Sequence, residues 1–252
     1  MESINSILNE IKDSFVEILK ANLTGIYIHG SIAMECFNWN ASDIDFLVIV
    51  KEELTISNKK KIYEALLEIS EEAPPKGLEM SILLRSAIEE FKYPTPYELH
   101  FSKPYYEKQK ANEASMYAGG LDPDLAGHLV ITRERGFCLV GEPIESLFKE
   151  PIPKSAYMTS ILNDVNDIHE HFKENPTYYI LNTCRVLQYI QTEQITSKKE
   201  SGQWAIEQLP KQYKILIKKA LDHYKDNIEA EYDNKELDEY SKYIMREIKC
   251  SV

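Results

Sequence analysis

Long apolar runs are missing from this chain. No stretch approaches the ~20 consecutive apolar residues that a bilayer-spanning helix needs, although 43% of the 252 residues are hydrophobic. Cysteine is scarce. Cys36, Cys138, Cys184 and Cys250 lie far apart and make no C-x-x-C pair. That spacing gives neither a disulfide framework nor a zinc site, and reduced structural thiols are expected. Positive charge is in deficit, with 29 Lys+Arg against 41 Asp+Glu and a net charge of −12. So acidic a chain repels nucleic-acid phosphates unless a basic patch is segregated, and no strong one is evident. The run Lys59 to Lys61 reads as a wet helix face. The same negative field attracts cationic small molecules. Met1 to Lys20 is charged and helix-patterned, without an apolar block ahead of a small-residue cleavage site. The expectation is a cytoplasmic monomer with no membrane or nucleic-acid partner. Internal repeats and low-complexity segments are also missing.

What remains is an ordinary globular composition with 28% charged residues, long enough for one large domain or two small ones. The first half reads as mixed α/β. Ile4, Ile7, Leu8, Ile11, Phe15, Ile18 and Leu19 recur at helical spacing. Gly25 to His29 and Ile44 to Val50 read as strands, the second buried on both faces. Ile56 to Ile69 is a helix ended by Pro74-Pro75 and Gly77, and Leu78 to Leu84 is a third strand. Pro94, Pro96 and Pro104 predict loop and turn. From about Ser155 the pattern becomes helical: Ile161 to Phe172, Tyr178 to Ile190, Lys198 to Gln208, Gln212 to Tyr224 and Leu237 to Ile248. Ser197 and Glu200 fit a capping box. Pro151 and Pro153 mark a boundary, giving domains 1–150 and 151–252.

Chemistry concentrates between residues 29 and 79. His29-Gly30-Ser31 follows the first strand. A glycine there lets the backbone turn tightly and approach a ligand. A helix starting behind it would aim N–H groups at a bound anion, with the Ser31 hydroxyl as one more donor. After eleven intervening residues come Asp43-Ile44-Asp45. Residues i and i+2 of a strand share a face, so the two carboxylates repel unless a cation lies between them. Carboxylates with substrate phosphates are the usual magnesium setting. Ser42 suits either a phosphate contact or a turn cap. Glu79, in the strand LEMSILL, is costly to bury alone. Beside the Asp43/Asp45 strand it can join the metal ligands or take a proton from an attacking hydroxyl.

The segment HGSIAMECFNWNASDIDFLVIV resembles the signature of the DNA-polymerase-β-like nucleotidyltransferases. YYILNTCRVLQYIQTEQITSKKESGQWAIEQLP resembles the helical domain of the aminoglycoside (3'')(9) adenylyltransferases, the enzymes that inactivate streptomycin and spectinomycin. The resemblance runs from about residue 20 to residue 225. It implies an α+β two-domain protein, an N-terminal nucleotidyltransferase domain of mixed sheet with helices followed by a C-terminal α-helical bundle. It implies Mg2+-dependent transfer of AMP from the co-substrate ATP to a hydroxyl of a cationic antibiotic. Asp43 and Asp45 would hold magnesium, Glu79 would be the general base, and Gly30, Ser31 and Ser42 would meet the triphosphate. Arg185, Lys198 and Tyr224 fall where the family contacts ATP. On spacing alone these three are ordinary helix-surface residues.

The acceptor side departs from the family. Its Gly-Glu-Trp segment is here Phe101-Ser102-Lys103-Pro104-Tyr105, without tryptophan, and Tyr105 or Tyr106 is left as the aromatic wall. Its Asp-Glu-Arg-Asn run is here Lys173-Glu174-Asn175-Pro176-Thr177. Glu174 is the nearest acid for a cationic amine, and Asn175 takes an Asp position. Fewer acids favour spectinomycin over the guanidinium-bearing streptomycin. The alternative is the same chemistry on another small-molecule or protein acceptor. His169 and His171 splay apart on a helix, which favours a solvated face over a metal site.

Overall fold

Ile7, Leu8, Ile11, Phe15 and Leu19 are all buried, and they make one face of helix α1 (Glu2–Leu19). The computed structural model describes residues 2–251, with the side chains of Glu2, Glu113 and Ala114 left aside. It divides into two compact units, Met1–Ala156 and Tyr157–Val252.

The first unit is built on a sheet. After α1 come β1 (Leu23–Ile28), the single-turn helix α2 (Gly30–Ala33), β2 (Ile44–Val50), α3 (Ile56–Ser70) and β3 (Leu78–Leu84). Then follow α4 (Arg85–Glu89), β4 (Thr95–Tyr97), β5 (Leu99–Ser102), α5 (Lys103–Gln109) and α6 (Glu113–Met116). The unit continues with β6 (Gly120–Asp122), α7 (Leu125–Arg135), β7 (Phe137–Gly141) and α8 (Ile144–Leu147). The main sheet has the order β5-β3-β2-β1-β7. Only β2 and β3 pair parallel, joined by the helical crossover through α3, and the other pairs are antiparallel. Parallel neighbours require such a crossover, because a tight turn cannot return the chain to the same direction.

Alternation then divides the strands. Ile26, Ile28, Phe46, Val48, Met80, Ile82 and Phe101 face α1 and α3 in one core. Tyr27, Leu47, Ile49 and Leu83 face Leu125, Ala126 and Leu129 of α7 in a second. Both faces of β2 are therefore covered, which explains its nearly unbroken apolar run. Burying each large aliphatic side chain contributes about 1.5–3 kcal/mol.

Three expectations need correction. The proline-bearing stretch is not plain loop. Pro96 lies in β4, one strand of a two-stranded ribbon with β6, where a missing N–H is tolerated. Pro104 sits in the first turn of α5, the helical position that needs no N–H partner. Lys59 is not on a wet face. It is 7% exposed, donates to Glu98 O at 2.6 Å and Tyr117 O at 3.3 Å, and lies 3.6 Å from Glu98 Oε2. Glu98 Oε2 also accepts from the Leu54 N–H at 3.1 Å. One buried ammonium thus ties three segments together, while Lys60 and Lys61 remain exposed.

The third correction lies in the helical region. Its elements are α9 (Lys154–Asn163), α10 (Ile168–His171), α11 (Pro176–Thr192), α12 (Lys198–Gln208), α13 (Lys214–Asp226) and α14 (Asn234–Ser251). The single helix expected over 161–172 is broken between α9 and α10. Val165 and Ile168 are fully buried and preserve the apolar rhythm. Asp164 and Asp167, however, turn their carboxylates to Arg185 and to the Tyr179 hydroxyl. Asn and Asp in this stretch compete with helical bonding. Helix α11 packs against α12, α13 and α14. At Gly202 of α12 an added Cβ would stand 2.7 Å from Leu221, so glycine permits that approach. The capping box is present: Ser197 Oγ accepts from the Glu200 N–H at 3.1 Å, and the Glu200 carboxylate accepts from the Ser197 N–H at 2.7 Å.

Removing the Lys59 ammonium strands the Glu98 carboxylate in a half-buried place. Lys59→Met is expected to lower stability by about 2–3 kcal/mol in urea unfolding. Loss of under 0.5 kcal/mol would show that Lys59 does not brace this region.

Candidate active site

Strand β1 ends at Ile28, and His29 continues extended, its N–H donating to Asp45 O at 3.1 Å. The chain then reverses at Gly30, where φ is +62°. A Cβ at that residue would lie 1.9 Å from Asp45 Oδ2. Glycine is required twice over, for the left-handed backbone and for the space the carboxylate fills. The helix that follows is a single turn, so its dipole is small, and local donors matter more. Ser31 Oγ is buried without a hydrogen-bond partner. Buried hydroxyls are normally satisfied, so this one is suited to an incoming acceptor atom. His29 is 3% exposed. Burial, then the neighbouring His128, holds its pKa well below the ordinary value, which keeps the imidazole neutral.

Ser42 is buried and its Oγ accepts from the Asn38 N–H at 3.2 Å. It caps the turn, and its hydroxyl proton is not used in that bond. Asp43 immediately precedes β2, and Ile44 turns into the core at 0% exposure. Asp45 lies beside Glu79 in the parallel register of β2 and β3, and Glu79 lies opposite Ser102 of β5. One carboxylate oxygen from each of Asp43, Asp45 and Glu79 lies within 4.8 Å of the other two. Like charges at this separation repel by about 3 kcal/mol per pair at an effective dielectric of about 20. All three are half-buried. The donor set is purely carboxylate oxygen, which fits a hard divalent cation and has no nitrogen or sulfur to favour zinc.

The cluster opens on a cleft of about 630 Å³, lined by Asp43, Glu79, Ser102, Lys103, Pro104 and Glu107 among others. Tyr105 does not line it. Its ring packs edge-on against His100 at 5.0 Å, and its N–H is capped by Ser102 Oγ at 3.3 Å. Ser102 and Glu107 carry no signal in the sequence; only the β3–β5 register and the first turn of α5 bring them there. Trp39 packs edge-on against Phe37.

In the second unit, Arg185 of α11 is paired with Asp164, Nη2 to Oδ2 at 2.6 Å. Burial opposes its charge. The Asp164 carboxylate, with the Tyr157 and Tyr178 phenols, outweighs that and leaves the guanidinium pKa raised. Lys198, the first residue of α12, holds its ammonium 4.8 Å from the centre of the Tyr178 ring. Tyr224 is half-buried on α13. Glu174 is exposed and pairs with His171 at 3.0 Å, a bond that raises the histidine pKa. Asn175 is the N-cap of α11, its Oδ1 accepting from the Tyr178 N–H at 3.4 Å. Gly30, Asp43, Asp45 and Glu79 thus converge in one unit, and Arg185 and Lys198 meet around Tyr178 in the other. The contacts of Asp164 with Arg185 and of Tyr178 with Lys198 carry no local signal in the sequence.

Two family models match in sequence order. Residues 9–93 match the nucleotidyltransferase domain of the polymerase β type, and residues 146–247 match the aminoglycoside adenylyltransferase C-terminal domain. The chain is thus similar to the aminoglycoside adenylyltransferases over its C-terminal region and to the polymerase β type nucleotidyltransferases over its N-terminal one. It is 26% identical to a spectinomycin 9-adenylyltransferase of Staphylococcus aureus, covering 91% of each chain. It is 26% identical to an aminoglycoside (3'')(9) adenylyltransferase of Klebsiella pneumoniae, covering 97% of this chain and 95% of that one. The fold matches the crystal structure of spectinomycin adenyltransferase from Enterococcus faecalis, solved with ATP and spectinomycin. That match has a TM-score of 0.83, 24% identity, and covers 97% of this chain and 99% of the other. Among the described residues no helix is long and apolar enough to cross a membrane.

Because a side chain at residue 30 must displace the Asp45 carboxylate, Gly30→Ala is expected to weaken Mn2+ binding at least about tenfold. The left-handed backbone adds about 1–2 kcal/mol of destabilisation. Calorimetric titration with Mn2+ alongside a thermal melt checks both, and wild-type Mn2+ affinity in the variant would contradict the fit.

Proposed function

We propose that this chain is a magnesium-dependent adenylyltransferase. It moves AMP from ATP to a hydroxyl of an aminocyclitol or aminoglycoside antibiotic, spectinomycin ahead of streptomycin, and so confers resistance. The observation that carries this reading is the meeting of Asp43, Asp45 and Glu79 beside the Gly30-Ser31 turn, in a chain similar to these enzymes. Asp43 and Asp45 would hold the metal, and Glu79 can join them. Bound there, magnesium neutralises phosphate charge and favours the ionised carboxylates.

The protein's own groups supply the rest. The Gly30 turn brings backbone close to the phosphates, and the hydroxyls of Ser31 and Ser42 donate to them. Arg185 and Lys198 add positive charge and Tyr224 contacts the nucleotide. Glu79 accepts the proton of the acceptor hydroxyl. The acceptor oxygen then forms its bond to the α-phosphorus, the α–β phosphoanhydride bond breaks, and pyrophosphate leaves with the electron pair. Such transfers depend mainly on positioning and charge stabilisation. Glu79 lines the 630 Å³ cleft, so the acceptor hydroxyl is assigned to that side.

The preference for spectinomycin rests on acid count and on the names of the relatives. Where the family has an acidic run, this chain has Glu174, already paired with His171, and the capping Asn175. A larger polycation needs more carboxylates than these. Tyr105, packed on His100, contributes to shaping the β5–α5 wall.

Pyrophosphate release from Mg-ATP is expected with spectinomycin and to be small with streptomycin or no acceptor. Release with neither drug, in protein that binds Mg-ATP, would move the reading to another acceptor. Glu79→Gln is expected to lower turnover at least about 100-fold while its melting temperature stays within a few degrees. Retained turnover would remove Glu79 from the role of base.

A further inference from the structure

Lys198 stands where helix physics opposes it. It is the first residue of α12, and the positive end of a helix dipole disfavours a cation there. The capping box occupies Ser197 and Glu200 with each other. The ammonium instead lies over the face of Tyr178, 4.8 Å from the ring centre. A ring face carries negative potential and attracts a cation at this range. The phenol is engaged at its other end, donating to Asp164 Oδ1 at 3.4 Å. The second oxygen of the same carboxylate accepts from Arg185 at 2.6 Å. Burial keeps the phenol protonated by pushing its pKa up, so it remains a donor. Arg185 keeps a buried Nε without a hydrogen-bond partner. Tyr178 is therefore the piece shared by both cations.

We propose that Tyr178 is a positioning residue of the nucleotide site, its ring face holding Lys198 beside the Asp164–Arg185 pair so that both cations meet the triphosphate together. This rests on the adenylyltransferase reading given above. The residue need not touch ATP. It sets where the Lys198 charge stands before ATP arrives, which lowers the ordering cost of binding. Tyr178 also has its N–H on the capping Asn175, which fixes the ring at the first turn of α11.

The test measures the dissociation constant of Mg-ATP by calorimetry, and the KM for ATP with spectinomycin as acceptor. Tyr178→Phe keeps the ring face and is expected to stay within about twofold of wild type. Tyr178→Leu removes the face and is expected to weaken Mg-ATP about tenfold, leaving kcat and the KM for spectinomycin within about twofold. Pentafluorophenylalanine at residue 178 keeps the shape, drains the negative potential, and is expected to match the leucine variant. That arm holds if the leucine variant folds poorly. In a Lys198→Met background, the change at residue 178 is expected to add less than about twofold.

Equal affinities for the phenylalanine and pentafluorophenylalanine proteins would overturn the proposal. So would an unaltered affinity in Lys198→Met. Mg-ATP bound as expected across the series, but no transfer to any antibiotic, would sink the acceptor assignment and leave the role of Tyr178 supported.

Discussion

Three carboxylates that repel one another are held at one end of a sheet, and most of the first unit follows from that constraint. Asp45 and Glu79 are neighbours because β2 and β3 run parallel and in register. Parallel pairing needs a crossover, and α3 supplies it. The crossover and β2 need cover on both faces, which α1, α3 and α7 give. Burial of Ile44, Phe46, Val48 and Val50 holds the strands against a repulsion of several kcal/mol among the acids. A slip of one residue would turn Glu79 to the opposite face, so fold and chemistry share one register.

The second unit solves the mirror problem. There the charges to be held are positive. Arg185 is kept ionised while buried by Asp164, and Lys198 is kept at an unfavourable helix start by a ring face. The Arg185–Asp164 pair is half-buried, so salt screens it less than a surface ion pair. Both cations are anchored to rigid aromatic and helical neighbours. Their partners come from α11 and from the turn between α9 and α10, where Asp164 leaves the helical pattern to reach Arg185.

Strands 44–50 and 78–84 were legible to the residue because each is a mostly apolar run opened after Asp43 or Gly77 and closed by a basic residue, Lys51 or Arg85. The capping box at Ser197 was legible for a similar reason, since its two partners are three residues apart. The pairing of Asp45 with Glu79 was expected only conditionally, because the crossover over α3 sets it and no local pattern does. Strand β7 and helix α7 were missed: Phe137 is exposed and α7 ends in Thr-Arg-Glu-Arg, so neither shows a clean period. The prolines concealed β4, β5 and α5, since their effect depends on edge and first-turn positions that only the fold defines. Lys59 misled because a lysine triplet reads as wet, and its buried partners lie 39 and 58 residues away. Asp164 and Arg185 lie 21 residues apart, beyond any local signal.

The cleft beside Glu79 takes its near wall from the sheet and its far wall from the start of α5. The near wall is locked, since the strands behind it sit at or close to zero exposure. The far wall is not, as Lys103, Pro104 and Glu107 are exposed. Substitutions there cost little stability, because surface changes rarely exceed half a kcal/mol. On the proposed reading, the chemistry would be carried by residues that selection cannot easily touch, and the choice of molecule to be modified by residues it can change one at a time. A fold divided in this way drifts toward new acceptors long before it drifts toward new reactions.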